Sequence, residues 1–305
     1  VAAAGEMGNP ILIFSLVLFL GGFGLKAAYI PFHAWLPDAH STAPTPVSAI
    51  LSGVFIKVVG LYCIIKVFFN IFELTPAFSM VLMVLGAISI IVAVLLALAQ
   101  WDSKRLLAYH SVSQMGYILL GLGIGTPLGI LGGLFHLINH ATFKSLLFLN
   151  AGSVETATGT RDLKELGGLN QRMPVTGVTS AIASFSISGF PPFNGFWSKL
   201  IIIIALVQAI GTGFPGFAPA YITFAVIAAL GSILTMASFI KLEQHIFFGS
   251  LPERLAKVRE VPWLMCVPMV ILAAVCIGVG IAFPWIIGNL LDPAVGVLSV
   301  FALGG

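Results

Sequence analysis

The sequence predicts an all-α fold, a polytopic bundle of transmembrane helices, and three observations predict it. Of its 305 residues 59% are hydrophobic and 8% charged, against roughly 45–50% and 25% in soluble domains, and the mean hydropathy is +1.08. The runs 11–25, 80–98 and 267–283 approach or reach the roughly 18 to 20 apolar residues that cross a bilayer as helix, with 200–210 a shorter piece of the same kind. The alternating segments of a β-barrel do not occur.

Apolar runs, punctuated by Pro, Gly and charge, divide the chain into about eight spans. The first, approximately 10–35, is interrupted by Pro31 and Pro37, so it is read as broken. Spans at about 45–69, 77–99, 105–125 and 128–150 follow. The sixth, about 174–211, is too long for one straight crossing and carries Gly189-Phe190-Pro191-Pro192 in its middle, so it is the second broken helix. Spans at about 219–240 and 262–290 complete the set, and the tail from Asp292 is apolar but too short to cross. The whole is read as one transmembrane domain over 1–305, with 151–173 and 241–261 as loops. The chain opens at Val1 without methionine, basic n-region or cleavage motif, and reads as a portion of a longer product.

Alternate loops fall on opposite sides, which allows a test by the positive-inside rule. Lys104, Arg105, Arg161, Lys164, Arg172, Lys241, Arg254, Lys257 and Arg259 fall on one side. The connections 70–76, 125–127 and 211–218 on the other contain no Lys or Arg. The basic side is taken as cytoplasmic, in a prokaryotic cell membrane or an energy-transducing organelle membrane. The net charge of +3 is small and spread along the loops, so it gives no argument for nucleic-acid binding. Cys63, Cys266 and Cys276 lie in apolar runs without ligand spacing and are read as packing or lipid-facing residues.

Five lysines remain inside apolar spans: Lys26, Lys57, Lys66, Lys144 and Lys199. A lysine at the bilayer centre costs about 2.5 to 3.5 kcal/mol on insertion scales, so such residues face a bundle interior or a hydrated cavity. Lys66 lies near its span's end and can snorkel. Lys26, Lys57, Lys144 and Lys199 sit deeper, where burial opposes the ammonium form and lets a lysine exchange its proton at working pH.

His136, His140 and Lys144, four apart, lie within about 80° on one helical face, flanked by Asn139 and Thr142. Such a ladder suits proton relay. The His-x-x-x-His spacing also matches a metal pair, but no carboxylate, thiolate or HExxH glutamate accompanies it, and structural hydrogen bonding is a third reading. None of the eleven acids lies deep in an apolar span, so an acidic partner for the lysines is expected from elsewhere. Lys26 precedes the Pro31 break and Lys199 follows the Pro192 break, and paired interrupted helices mark transporter sites built from inverted repeats.

The strings GFGLKAAYIPFHAWLPDAHSTAPTPVSAILSG from Gly22, LAQWDSKRLLAYHSVSQMGYI from Leu98, FHLINHATFKSLLFL from Phe135, DLKELGGL from Asp162 and GFPPFNGFWSK from Gly189 occur in this order. On these strings the chain, from about Gly22 to Lys241, resembles the antiporter-like membrane subunits of respiratory complex I, Mrp-type cation/proton antiporters and energy-converting membrane-bound hydrogenases. The resemblance implies an inverted-repeat antiporter-like fold whose N-terminal helices are not in this sequence. One of those helices carries, in the family, a glutamate that pairs with the lysine at the position of Lys26. It also implies ion translocation along Lys26, Lys57, His136, His140, Lys144 and Lys199, of H⁺ or of Na⁺ against H⁺. The chain would then hold no cofactor of its own. In a redox-driven member, flavin, iron–sulfur or NiFe centres would belong to partner subunits, a peripheral redox arm beside further antiporter-like membrane subunits and lipid, so that the resemblance implies a subunit of a translocating oxidoreductase or of an Mrp-type antiporter, with no redox site of its own. Competing readings are a stand-alone transporter for a small solute, a membrane enzyme and a structural anchor; the last leaves the buried lysines unexplained.

Overall fold

A computed structural model describes residues 10–71 and 74–302. Among these the chain is helical throughout, and its one extended pairing is an isolated bridge between Asp102 and Asp162. In order the helices are α1 (Pro10–Ala27), α2 (Trp35–Thr42), α3 (Thr45–Phe69), α4 (Pro76–Leu98), α5 (Ser103–Ile124) and α6 (Pro127–Thr158). They continue with α7 (Pro174–Ser188), α8 (Asn194–Thr212), α9 (Ala218–Ile246) and α10 (Trp263–Ile281). A last helix, α11, runs on through Phe283–Ile286, Ile287–Leu291 and Asp292–Ala302. Helices α3, α4, α8, α9 and α10 are long and apolar enough to cross a membrane, and α1 contributes a shorter apolar stretch.

The ends follow local chemistry. Thr75, Asp102 and Thr126 each cap a helix by accepting a hydrogen bond from the backbone N–H three residues on, and Pro76 and Pro127 stand at first helical positions. Gly125 and Gly159 close α5 and α6 in the left-handed conformation.

Two of the least apolar helices take the centre. α5 is buried along nearly its whole length, between α4 and α6, with α2 across its beginning. α6 packs against α3, α5, α7, α8 and α10. The outer helices turn large apolar side chains outward, such as Phe14 (64% exposed) and Ile233 (64%), while Lys57, His110 and Lys144 are 0% exposed. This polar-in, apolar-out distribution is that of a bundle solvated by lipid rather than water. The protein is a membrane protein.

Small residues bring the central helices close. A Cβ on Gly86 of α4 would lie 2.7 Å from the carbonyl oxygen of Gly116 on α5.

Four boundaries differ from expectation. α6 runs to Thr158 and α9 to Ile246, so the expected loops 151–173 and 241–261 begin as helix. The helical hydrogen bonds carry polar residues past the end of the apolar run, which hydropathy alone does not register. Pro37 makes no break: it sits in the first turn of α2, where a missing N–H costs nothing. The tail from Asp292 is the continuation of α11 rather than a separate piece.

The basic residues gather at one end of the bundle. Lys104 pairs with Glu155 at 2.7 Å and Arg161 with Asp102 at 3.2 Å. Lys164 and Lys241 stand over the Trp101 ring at 4.8 and 3.9 Å.

Gly86→Val is expected to separate α4 from α5 and lower stability by about 1–3 kcal/mol, read as a fall in Tm of the detergent-solubilised protein.

Candidate functional site: a buried lysine and histidine chain between two helix breaks

α1 stops at Ala27, and the non-glycine Ala28 takes φ +58°. The break is pinned by Tyr29 Oη donating to the Leu20 carbonyl (2.6 Å) and by the Ile30 N–H donating to Ser89 Oγ of α4 (3.0 Å). A helix that ends leaves its last carbonyls without partners in the next turn. Lys57 of α3, 0% exposed, supplies one: its Nζ donates to the Ala27 carbonyl at 2.7 Å.

The second break repeats the device. α7 stops at Ser188 and Gly189 caps it at φ +83°. Lys199 of α8, 3% exposed, reaches back so that Nζ donates to the Ile187 carbonyl at 2.7 Å. A Cβ on Gly189 would stand 3.1 Å from Lys199 Cδ, so glycine serves both the backbone angle and the lysine's passage. Lys199 Nζ also lies 4.6 Å over the Tyr117 ring. Each ammonium thus occupies the negative end of a half-helix, where dipole and orphan carbonyl both favour a cation.

Between the lysines runs the inward stripe of α6. His136 is 0% exposed, with Nδ1 bonded to Ser198 Oγ (2.9 Å) and Nε2 donating to Gln114 Oε1 (3.1 Å). Ser198 is the neighbour of Lys199 and is also placed to donate to the Gly195 carbonyl (3.2 Å). His140 and Lys144 are 0% exposed, and neither His140 nitrogen nor Lys144 Nζ has a hydrogen-bond partner among the described residues. Lys144 Nζ lies 5.6 Å from the Phe148 ring centre. His140 lies one helical turn from His136 on one side and from Lys144 on the other, on the same face of α6.

A knot of short polar side chains holds the second break against α6. Asn139 Nδ2 donates to the Asn194 carbonyl (2.9 Å), and Asn194 Nδ2 donates to Thr142 Oγ1 (3.0 Å). Ser186 donates to Asn194 Oδ1, tying the end of α7 to the start of α8. Asn139 and Thr142, which flank the stripe in sequence, therefore position it.

Five of the six sequence-predicted residues meet in this buried group: Lys57, His136, His140, Lys144 and Lys199. Lys26 does not. The buried stripe of α1 is Leu16, Gly24 and Ala27, and Lys26 falls off it by one residue, on the exposed side. Lys66 is exposed as well, with Nζ 5.7 Å from the Tyr62 ring centre, in keeping with a snorkelling side chain.

Other members were missed. His110 of α5 is fully buried, bonded through Nε2 to Ser238 Oγ of α9 (2.8 Å), with its ring centre 4.6 Å from that of Phe239. A histidine inside an expected span was the signal. His40, buried with its ring centre 5.1 Å from that of Phe148, the ring that Lys144 also faces, precedes an expected span and gave none. One acid lies beyond the expected span yet is buried: Glu243, in the last turn of α9, is 9% exposed. The apolar run ends at 240, before Lys241. Lys241, however, turns back to donate to the Leu98 and Gln100 carbonyls, and the helix continues.

A family profile described as "NADH:quinone oxidoreductase/Mrp antiporter, TM" matches residues 2–245. The Na(+)/H(+) antiporter subunit A1 of Staphylococcus epidermidis is 38% identical over 308 residues, covering 96% of this chain and 38% of that protein. Hydrogenase-4 component B of Escherichia coli K12 is 37% identical over 308 residues, covering 94% of this chain and 44% of its own length. The chain therefore spans less than half the length of these curated relatives. Among solved structures, the Mrp complex from Dietzia sp. DQ12-45-1b superposes with a TM-score of 0.84 at 28% identity, over 96% of this chain and 60% of that one. With its two breaks, its buried lysines and a matched segment that runs from residue 2 through α9, the chain belongs to the NADH:quinone oxidoreductase/Mrp antiporter transmembrane family.

Proposed function

We propose that this chain is an ion-translocating membrane subunit that passes protons, directly or in exchange for sodium ions, along the buried lysines and histidines. The observation that carries the reading is the repeated device at the breaks: Lys57 on the Ala27 carbonyl and Lys199 on the Ile187 carbonyl, each at 2.7 Å. A lysine so held can exist as ammonium at a helix C-terminus or give its proton up, because no carboxylate fixes its charge within ion-pair distance among the described residues.

His136 is built for both protonation states. As neutral imidazole it donates through Nε2 to Gln114 and accepts at Nδ1 from Ser198. As imidazolium it donates at Nδ1, and the Ser198 hydroxyl turns its proton to the Gly195 carbonyl. The hydroxyl next to Lys199 thereby follows the charge of the ring, and a proton moves between Lys199 and His136 without a rearrangement of the backbone. His140 and Lys144, with open hydrogen-bonding positions, carry it on toward Lys57. Lys26, adjacent to the Ala27 carbonyl that Lys57 holds, continues the path on the exposed side of the first break.

The same reading makes the chain one of several subunits. Its relatives are named as an antiporter subunit and a hydrogenase component, which supports neighbouring antiporter-like membrane subunits here. Where the driver is redox chemistry, flavin, iron–sulfur or NiFe centres and the peripheral arm that holds them belong to those partners. The segregation of basic residues to one end of the bundle supports a cytoplasmic position for that end.

In proteoliposomes of the intact assembly, Lys57→Ala and Lys199→Ala are expected to reduce coupled ion transport at least about tenfold with assembly retained. Wild-type transport in both overturns the reading. Lys144→Met keeps the apolar volume and removes an unpartnered buried amine. It is expected to leave stability unchanged or raise it by about 1 kcal/mol, while transport falls at least about tenfold. The two measurements, a melting curve and a flux assay on one variant, separate a transport role from a packing role.

A further inference from the structure

Trp101 stands in the turn between α4 and α5, 38% exposed, at the basic end of the bundle. Two ammonium groups converge on its ring: Lys241 Nζ of α9 lies 3.9 Å and Lys164 Nζ 4.8 Å from the ring centre. The two charges are no farther apart than the sum of those distances, and like charges so placed repel. His245 of α9 packs on the same ring, with centres 5.3 Å apart. The fold imposes this gathering. The Leu163 N–H donates to the Trp101 carbonyl at 2.9 Å, which straps the connection between α6 and α7 to the turn and carries Lys164 with it. Lys241 is held by the end of α4, where its Nζ donates to the Leu98 and Gln100 carbonyls at 2.9 and 2.8 Å.

No carboxylate answers this charge. Among the described residues neither Lys164 nor Lys241 has an acid within ion-pair distance. The acids of the neighbouring segments are engaged elsewhere. Asp102 pairs with Arg161 at 3.2 Å and Glu165 with Arg254 at 3.3 Å, while Asp162 accepts from the Lys164 backbone N–H at 2.9 Å. Lys241 spends two of its three N–H donors on the α4 carbonyls, and one stays open. Beside this cluster the surface is apolar. Leu95 and Leu96 face outward one turn before the carbonyls that Lys241 holds, and Ile240 faces outward next to Lys241. They belong to α4 and α9, which pack against one another. A ligand that fits here is anionic at one end and apolar along the rest, and it lies at the membrane surface, where tryptophan and lysine collect.

We propose that Trp101, Lys164 and Lys241 form a binding site for an anionic glycerophospholipid, with its phosphate at the two ammonium groups and its acyl chains along α4 and α9. The phosphodiester accepts from the open N–H of Lys241 and from the Lys164 ammonium, a charge-assisted pairing that also relieves the repulsion between them. The apolar flank of Leu95, Leu96 and Ile240 selects a lipid over a free anion, which leaves that flank uncovered. A lipid so placed joins three segments far apart in the chain: the turn after α4, the connection after α6 and the end of α9. The site draws on the membrane setting alone and is independent of the route by which ions pass.

The probe is phosphatidylglycerol with a photoreactive group in one acyl chain, added to the intact assembly in phosphatidylcholine proteoliposomes, with the labelled peptides mapped by mass spectrometry. Labelling is expected on α4 and α9 near Trp101, competed by unlabelled phosphatidylglycerol and not by further phosphatidylcholine. Lys164→Gln is expected to lower it about fivefold, and Lys164→Gln combined with Lys241→Gln to abolish the preference for the anionic lipid. Absence of label from these helices, or equal competition by phosphatidylcholine, overturns the proposal. So does labelling in the double variant at the wild-type level. Competition by inorganic phosphate as strong as by phosphatidylglycerol makes this a bare anion site and overturns the lipid. Protection of Lys164 from an amine reagent in the lipid-stripped assembly means that a partner subunit covers it, which also overturns the lipid. If the double variant fails to assemble, wild-type labelling in Lys164→Gln alone overturns the site.

Discussion

A lysine ammonium donating to the last carbonyls of an interrupted helix joins two groups that lipid tolerates badly when each stands alone. A helix broken at membrane depth leaves carbonyls with no N–H and no water to satisfy them. A lysine at the same depth is costly wherever nothing solvates its charge. In the pairs Lys57–Ala27 and Lys199–Ile187 each group meets the other's need. The pairing then dictates position: α3 must pass beside the end of α1, α8 must fold back on α7, and the second break must face α6. The asparagine and threonine knot around Asn194, and the Ser89 contact to Ile30, hold those approaches in place.

From this constraint follows the inverted distribution of the bundle. α5 and α6, which carry Gln114, Tyr117, His136, His140 and Lys144, are enclosed by more apolar helices, because polar side chains in a membrane protein have only each other and the backbone to turn to. Groups such as His140 and Lys144, buried without hydrogen bonds, work against stability. On the reading proposed above, these two groups are where the bundle gives up packing energy for the capacity to accept and release charge.

Much of this was legible along the chain, for reasons that differ by residue. The stripe His136, His140 and Lys144 needed only the helical period, since a four-residue spacing fixes a common face in any helix. Lys57 and Lys199 stood out because a lysine within an apolar run has no cheap explanation. The break at Gly189 to Pro192 is written in residues that cannot continue a helix. Lys26 passed the same sequence test as Lys57, yet its side chain lies exposed, because the distinction turns on which face of α1 meets α3, and a single helix whose apolar residues surround it carries no such mark. Glu243 was lost in the opposite way. A lysine two residues before it looked like the end of a span, and only the fold shows that lysine satisfied by the carbonyls of another helix.

The amino-acid sequence alone specified the solvent, the helical class, the positions of both breaks and the residue types available for moving charge, because each depends on composition, on local period or on the covalent limits of proline and glycine. The partner of each lysine, the burial of His110 and Glu243, and the exposure of Lys26 depended on the tertiary structure. These are relations between segments far apart in the chain, such as the 30 residues that separate Ala27 from Lys57. Nothing in local propensity encodes the distance between them once the helices have packed.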